Sequence, residues 1–147
     1  MTYEIPPLKK PEDMPLIKTQ DDLCQAWRAL MGELGFAQRQ MWLMFIEPDG
    51  TMMPALSKFE DLDPLPDREY VGNFVSICRQ VVRSGRRGSS FAVLYARPGR
   101  KQTTAMDRSW AREVTECAER LGVKMWPMHL ANDHDLRVFA PDELIAA

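Results

Sequence analysis

The sequence is short of cysteine, of long apolar runs and of net charge, and each shortage excludes something. Cys24, Cys78 and Cys117 are odd in number, far apart and without a C-x-x-C spacing, so they read as packed thiols in a reducing compartment rather than as a disulfide framework. The apolar runs grow no longer than MWLMFI, far below the roughly 20 residues of a membrane span. The opening MTYEIPPLKKPEDMPLIK interrupts its apolar residues with prolines and charges, unlike a secretory signal, and a cytoplasmic protein without membrane contact is expected. A formal net charge of -2 gives no global pull towards nucleic acid or membrane. No internal repeat, nucleophile elbow or phosphate-cradling Gly-x-x-x-x-Gly-Lys spacing occurs. Ser89 and Ser90 have no evident histidine partner, and no catalytic residue is assigned.

What is present fits one globular domain. With 147 residues, 45% hydrophobic and 27% charged, a sizeable core is possible without staples. Residues 1–18 hold four prolines and read as an N-terminal arm that lies on the domain or stays loose; residues 19–147 read as the domain. Thr19 with Asp22 predicts a capped helix along Leu23, Trp27, Leu30, Met31 and Leu34, ending near Gly32 or Gly35. QMWLMFIEPDGTMMPAL predicts two strands around an Asp49-Gly50 turn, the first covered on both faces. SKFEDLDPLPDR reads as a loop. A second helix is expected from about Pro66 or Asp67 to Arg83, with Tyr70, Phe74, Ile77, Cys78, Val81 and Val82 on its inner stripe. SSFAVLYA predicts an interior strand. Thr104 then caps a third helix whose inner face holds Trp110, Val114, Cys117, Ala118 and Leu121, and VKMWPMHLA and LRVFA close the chain as strands. The reading is α/β (α+β), a mixed β-sheet flanked by helices in the order α-β-β-α-β-α-β-β.

Residues 19 to about 141 resemble the JAB/MPN-type domain of the RadC family. In that family an apolar strand ends in H-x-H-P and a loop with S-x-x-D opens the next helix. AVLYARP occupies the strand end here, so Tyr95 and Arg97 stand at the two histidine positions before Pro98, and TTAMD supplies Thr104 and Asp107 as T-x-x-D. AERLGVKMWPMHL is similar to the family's passage into a strand carrying a histidine, here His129, and LRVFAPDEL resembles its closing strand. The resemblance implies a JAB/MPN-like, cytidine-deaminase-like architecture. In a member with the full motif, two imidazoles and the aspartate hold zinc and an upstream glutamate is the general base. Here Arg97 is a fixed cation that cannot ligate, Tyr95 could ligate only as phenolate, and neither Glu33 nor Glu47 is placed as the base. Tyr95, Arg97, Thr104 and Asp107 are therefore expected to be a vestigial site, with Asp107 capping its helix and pairing with Arg97.

That expectation makes the protein a metal-free, cofactor-free, non-catalytic binding or assembly module, with a protein partner or a second copy favoured over nucleic acid. Two alternatives compete with it. Arg86, Arg87, Arg100 and Lys101 lie in an arginine-rich stretch and could form a patch for nucleic acid or a partner. HLANDHD gathers His129, Asp133, His134 and Asp135, from which a hydrolase with a rebuilt metal site would draw His129 and His134.

Overall fold

The computed structural model describes residues 4–144; the first three residues of the arm and the last three of the domain lie outside the described residues. The elements run α1 (Gln20–Met31), β1 (Gln40–Ile46), β2 (Ser57–Phe59), α2 (Arg68–Ser84), β3 (Ser90–Ala96), α3 (Ala105–Arg120), β4 (His129–Ala131) and β5 (Leu136–Val138), with short 3-10 turns at Pro11–Asp13 and Pro141–Leu144. The five strands form one mixed sheet in the order β2-β1-β3-β4-β5. β1 and β3 pair antiparallel along their whole length, from Gln40 against Ala96 to Ile46 against Ser90. β3 and β4 are parallel, with α3 as the crossover.

Period two divides β3 between two cores. Phe91, Val93 and Tyr95 join Met41, Leu43 and Phe45 of β1 beneath α2 and α3. Ala92, Leu94 and Ala96 join Met44 and Ile46 beneath α1. Helices thus cover both faces, and all seven residues of β3 are buried, which is why its sequence shows no alternation of polarity.

Both predicted capping boxes form. Thr19 accepts from the Asp22 N–H at 3.1 Å and Thr104 from the Asp107 N–H at 3.2 Å, while each aspartate reaches back to its cap residue's N–H. Gly32 ends α1.

Three expectations are corrected. The second strand lies not beside the Asp49-Gly50 turn but at Ser57–Phe59, within the segment expected to be loop, where it pairs with Met41–Leu43. After the turn only a single bridge, Ile46 to Met52, forms; Pro54, which lacks an N–H, stands where a ladder would continue. Pro127 likewise interrupts VKMWPMHLA, leaving a bridge from Phe91 to Met125 and a strand that starts only at His129. On α2 the buried stripe is Val71, Phe74, Val75 and Cys78, while Tyr70 is 37% and Ile77 51% exposed. Tyr70 lies at the edge of the helix pair, where its ring meets Trp110 edge-on at 6.2 Å.

Part of the arm lies on the domain. Met14 and Ile17 are buried in the α1 core, and the Ile17 N–H donates to the Gly50 carbonyl at 2.8 Å. Gly50 has φ +95°, and an added Cβ would lie 2.9 Å from the Ile17 carbonyl oxygen. Gly50→Ala is therefore expected to cost at least about 1–2 kcal/mol, from left-handed strain and from displacing the arm. Urea denaturation measures this; an unchanged midpoint would show that the arm is not anchored there.

Candidate functional site at the carboxyl ends of β3 and β4

β3 ends at Ala96, and its alternation carries Arg97 to the α2/α3 face, below the first turn of α3. Asp107 occupies N3 of that helix because Thr104 caps it. The two side chains meet there with 6% and 1% residue exposure. Arg97 Nη2 lies 2.7 Å from Asp107 Oδ2, and Nε donates to Oδ1 at 3.0 Å. The remaining donors of the guanidinium reach the carbonyls of Pro98 (3.3 Å), Lys101 (2.8 Å) and Gln102 (3.1 Å). Oδ2 also accepts the Thr104 N–H at 2.8 Å. Arg97 is thus the centre around which residues 98–104 wrap, and the hydrogen bonds to Asp107 hold it firmly protonated.

Tyr95 points into the same region, stacked on Trp110 with centroids 6.0 Å apart. Its hydroxyl is buried without a hydrogen bond, and burial and then the Asp107 carboxylate push its pKa up to about 12, with Arg39 opposing the rise. These residues do not fit zinc. One ligand position is a cation, the second is a phenol far from deprotonation, and the aspartate has given both oxygens to Arg97 and the helix cap.

The β4–β5 turn closes the other side of the loop. Asp133 accepts the N–H groups of Gly99 at 2.8 Å and Phe36 at 2.9 Å, and these bonds lower its pKa. Asn132 donates to the Lys101 carbonyl at 2.9 Å and accepts from the N–H groups of His134 and Asp135. The long-range bonds of Asn132 and Asp133 follow from the parallel pairing of β3 and β4, which no local pattern signals.

The structure does not gather HLANDHD into a metal centre. His129 is fully buried and opposite Leu94, so it faces the α1 core, away from Arg97 and Asp107. His134 is exposed, with Nδ1 3.4 Å from Arg100 Nη2. Among the described residues, no group of three or more His, Cys, Asp or Glu side chains could hold a metal ion. The basic residues form two clusters rather than one patch. Arg86 and Arg87 precede β3, Arg100 and Lys101 follow it, and all four are exposed, separated by seven residues of strand at ~3.3 Å each.

Other candidate nucleophiles are occupied or buried. Ser89 Oγ donates to the Arg86 carbonyl at 2.7 Å, and Ser90 Oγ accepts from the Trp126 indole at 2.8 Å. Burial pushes the Cys78 thiol up to about 12, and Cys117 is also buried. No helix among the described residues is long and apolar enough to cross a membrane. No family model matches the chain, and no curated protein is significantly similar to it.

Proposed function

We propose that this is a metal-free, non-catalytic domain of the RadC-like JAB/MPN type that acts as a binding or assembly module. The observation that carries the reading is the buried Arg97–Asp107 ion pair, which occupies the position where the resemblance would put a metal. A cation held by two carboxylate oxygens and three backbone carbonyls does the structural work of a bound ion, organising the loop without offering an open coordination position. A protein, including a second copy of the chain, is the partner we propose. In support, Tyr70 and Ile77 stand exposed two turns apart on α2.

Metal content tests the reading. Protein purified without a histidine tag and dialysed against trace zinc is expected to retain close to no metal per chain. A ratio near one, abolished by His129→Ala or His134→Ala, would establish the rebuilt metal site instead. Light scattering across a concentration series then reads self-association, and Ile77→Asp is expected to weaken any dimer found.

A further inference from the structure

Beside the Arg97–Asp107 pair, on the same face of the sheet, lies a cavity of about 220 Å³. Arg100 and Gln102 enter it from the β3–α3 loop, Asn132 and His134 from the β4–β5 turn, and Arg137 from β5. It lies outside the carboxyl ends of two parallel strands, where open α/β sheets bind ligands. We infer that this cavity binds the phosphoryl group of a small phosphate monoester.

The hydrogen-bond inventory of the walls carries the inference. Arg100 forms no close ion pair among the described residues; it contacts His134 Nδ1 at 3.4 Å and acts on the Asp133 carboxylate only by longer-range attraction. A guanidinium can only donate, so that contact makes Nδ1 the acceptor and leaves Nε2–H as a donor. Arg137 gives both Nη1 hydrogens and one Nη2 hydrogen to Val138 and Glu143, which leaves its Nε–H and one Nη2–H. Gln102 has no side-chain hydrogen bond within the described protein, so its amide is available. The wall offers fewer acceptors, and Asp135 is the one carboxylate lining it. Asn132 Oδ1 receives two backbone N–H groups, and Asp135 Oδ1 receives the Leu136 N–H. Unspent donors from three segments therefore outnumber the free acceptors of the wall, of which Asp135 Oδ2 is one, and the ligand that complements them is an oxyanion with several acceptor oxygens.

The loop is also held in place before any ligand arrives. The Lys101 carbonyl is pinned from both sides, by Arg97 Nη2 and Asn132 Nδ2, and the Gly99 N–H is tied to Asp133, so Arg100 and Gln102 project from a fixed backbone. Such preorganisation removes an ordering cost from binding.

Calorimetric titration of the full chain with inorganic phosphate, a nucleoside 5′-monophosphate and a single-stranded oligonucleotide tests it. Saturable one-to-one binding of phosphate and the monophosphate is expected, weakened about tenfold or more by Arg100→Gln and unchanged by Arg86→Gln at the far end of β3. Because Arg100 is exposed, its replacement is expected to leave the thermal midpoint unaltered. Three results would each overturn the inference: no saturable phosphate or monophosphate binding at millimolar concentration, equal binding by wild type and Arg100→Gln, or binding of the oligonucleotide alone with Arg86→Gln and Arg100→Gln weakening it equally. The last would reveal diffuse attraction of a polyanion to both basic clusters.

Discussion

Replacing Asp107 by alanine is expected to destabilise the protein by about 3–5 kcal/mol, because it leaves the Arg97 guanidinium buried and uncompensated. The same change removes the capping contact to the Thr104 N–H, a loss worth about 1 kcal/mol in typical helices. Arg97→Gln should cost less than Asp107→Ala, since glutamine can keep a hydrogen bond to the aspartate while giving up those to the loop carbonyls. The decisive comparison is a cycle of Arg97→Gln, Asp107→Asn and their combination, followed by urea denaturation. A coupling of about 1–3 kcal/mol is expected, as for groups sharing one network. Strictly additive losses would mean that the two side chains stabilise the fold independently, and the view of the pair as the internal substitute for a metal would fall. Replacing both by apolar residues, as in Arg97→Met with Asp107→Leu, should recover part of the stability, since buried ion pairs often do no better than packed hydrocarbon. It should also loosen residues 98–103, because the Lys101 and Gln102 carbonyls lose their donor. Faster amide exchange in that loop at restored global stability would separate the pair's organising role from its energetic one.

The second large effect belongs to His129 and appears only on acidification. Its ring is fully buried, neither nitrogen has a hydrogen-bond partner, and burial lowers its pKa from 6.5 to about 4. The Pro127 carbonyl opposes that fall without completing a hydrogen bond. In the unfolded chain the ring takes up a proton near pH 6.5, while the folded protein resists until about pH 4. The unfolded state therefore binds more protons in this window, and stability is full above pH 6.5 and falls as the pH drops towards 4. The loss attributable to this one residue is about 3 kcal/mol between pH 7 and pH 4. His129→Leu should remove that part of the pH dependence, and at pH 7 it should cost little, since no hydrogen bond is lost and the α1 core is apolar. Denaturation of both proteins at pH 7, 5.5 and 4.5 measures the difference. Parallel curves would show that His129 is solvated or hydrogen-bonded in solution.

Much of the architecture was legible along the chain. Thr19 with Asp22 and Thr104 with Asp107 announced two helix starts, because a capping box is a local exchange of hydrogen bonds across three residues. The apolar SFAVLYA announced a strand covered on both faces, because burial on both sides leaves no position for a polar residue. β2 was not legible. Three residues at a sheet edge are too few to establish a period, and Ser57–Phe59 is a strand only because β1 presents an edge to it. On α2, Phe74, Cys78, Val81 and Val82 of the expected stripe pack into the core while Tyr70 and Ile77 do not, for a related reason. Tyr70 and Ile77 are apolar and correctly spaced, but the side of the helix that meets the sheet is set by how α2 packs beside α3.

The candidate site divides in the same way. By itself the sequence determined that Arg97 and Tyr95 are poor zinc ligands, since a guanidinium stays protonated and a phenol nearly so whatever the fold, and it placed Asp107 in the first turn of a helix. Only the tertiary structure decided which of the charged residues meet. It brought Arg97 and Asp107 together at 2.7 Å, turned His129 to the opposite face, divided the basic residues between the two ends of β3, and set Arg100, His134 and Arg137 around one cavity. Ionisation and capping are properties of a residue and its near neighbours, whereas proximity across the sheet depends on strand register and on the crossover that makes β3 and β4 parallel, and neither is written in any single segment of the chain.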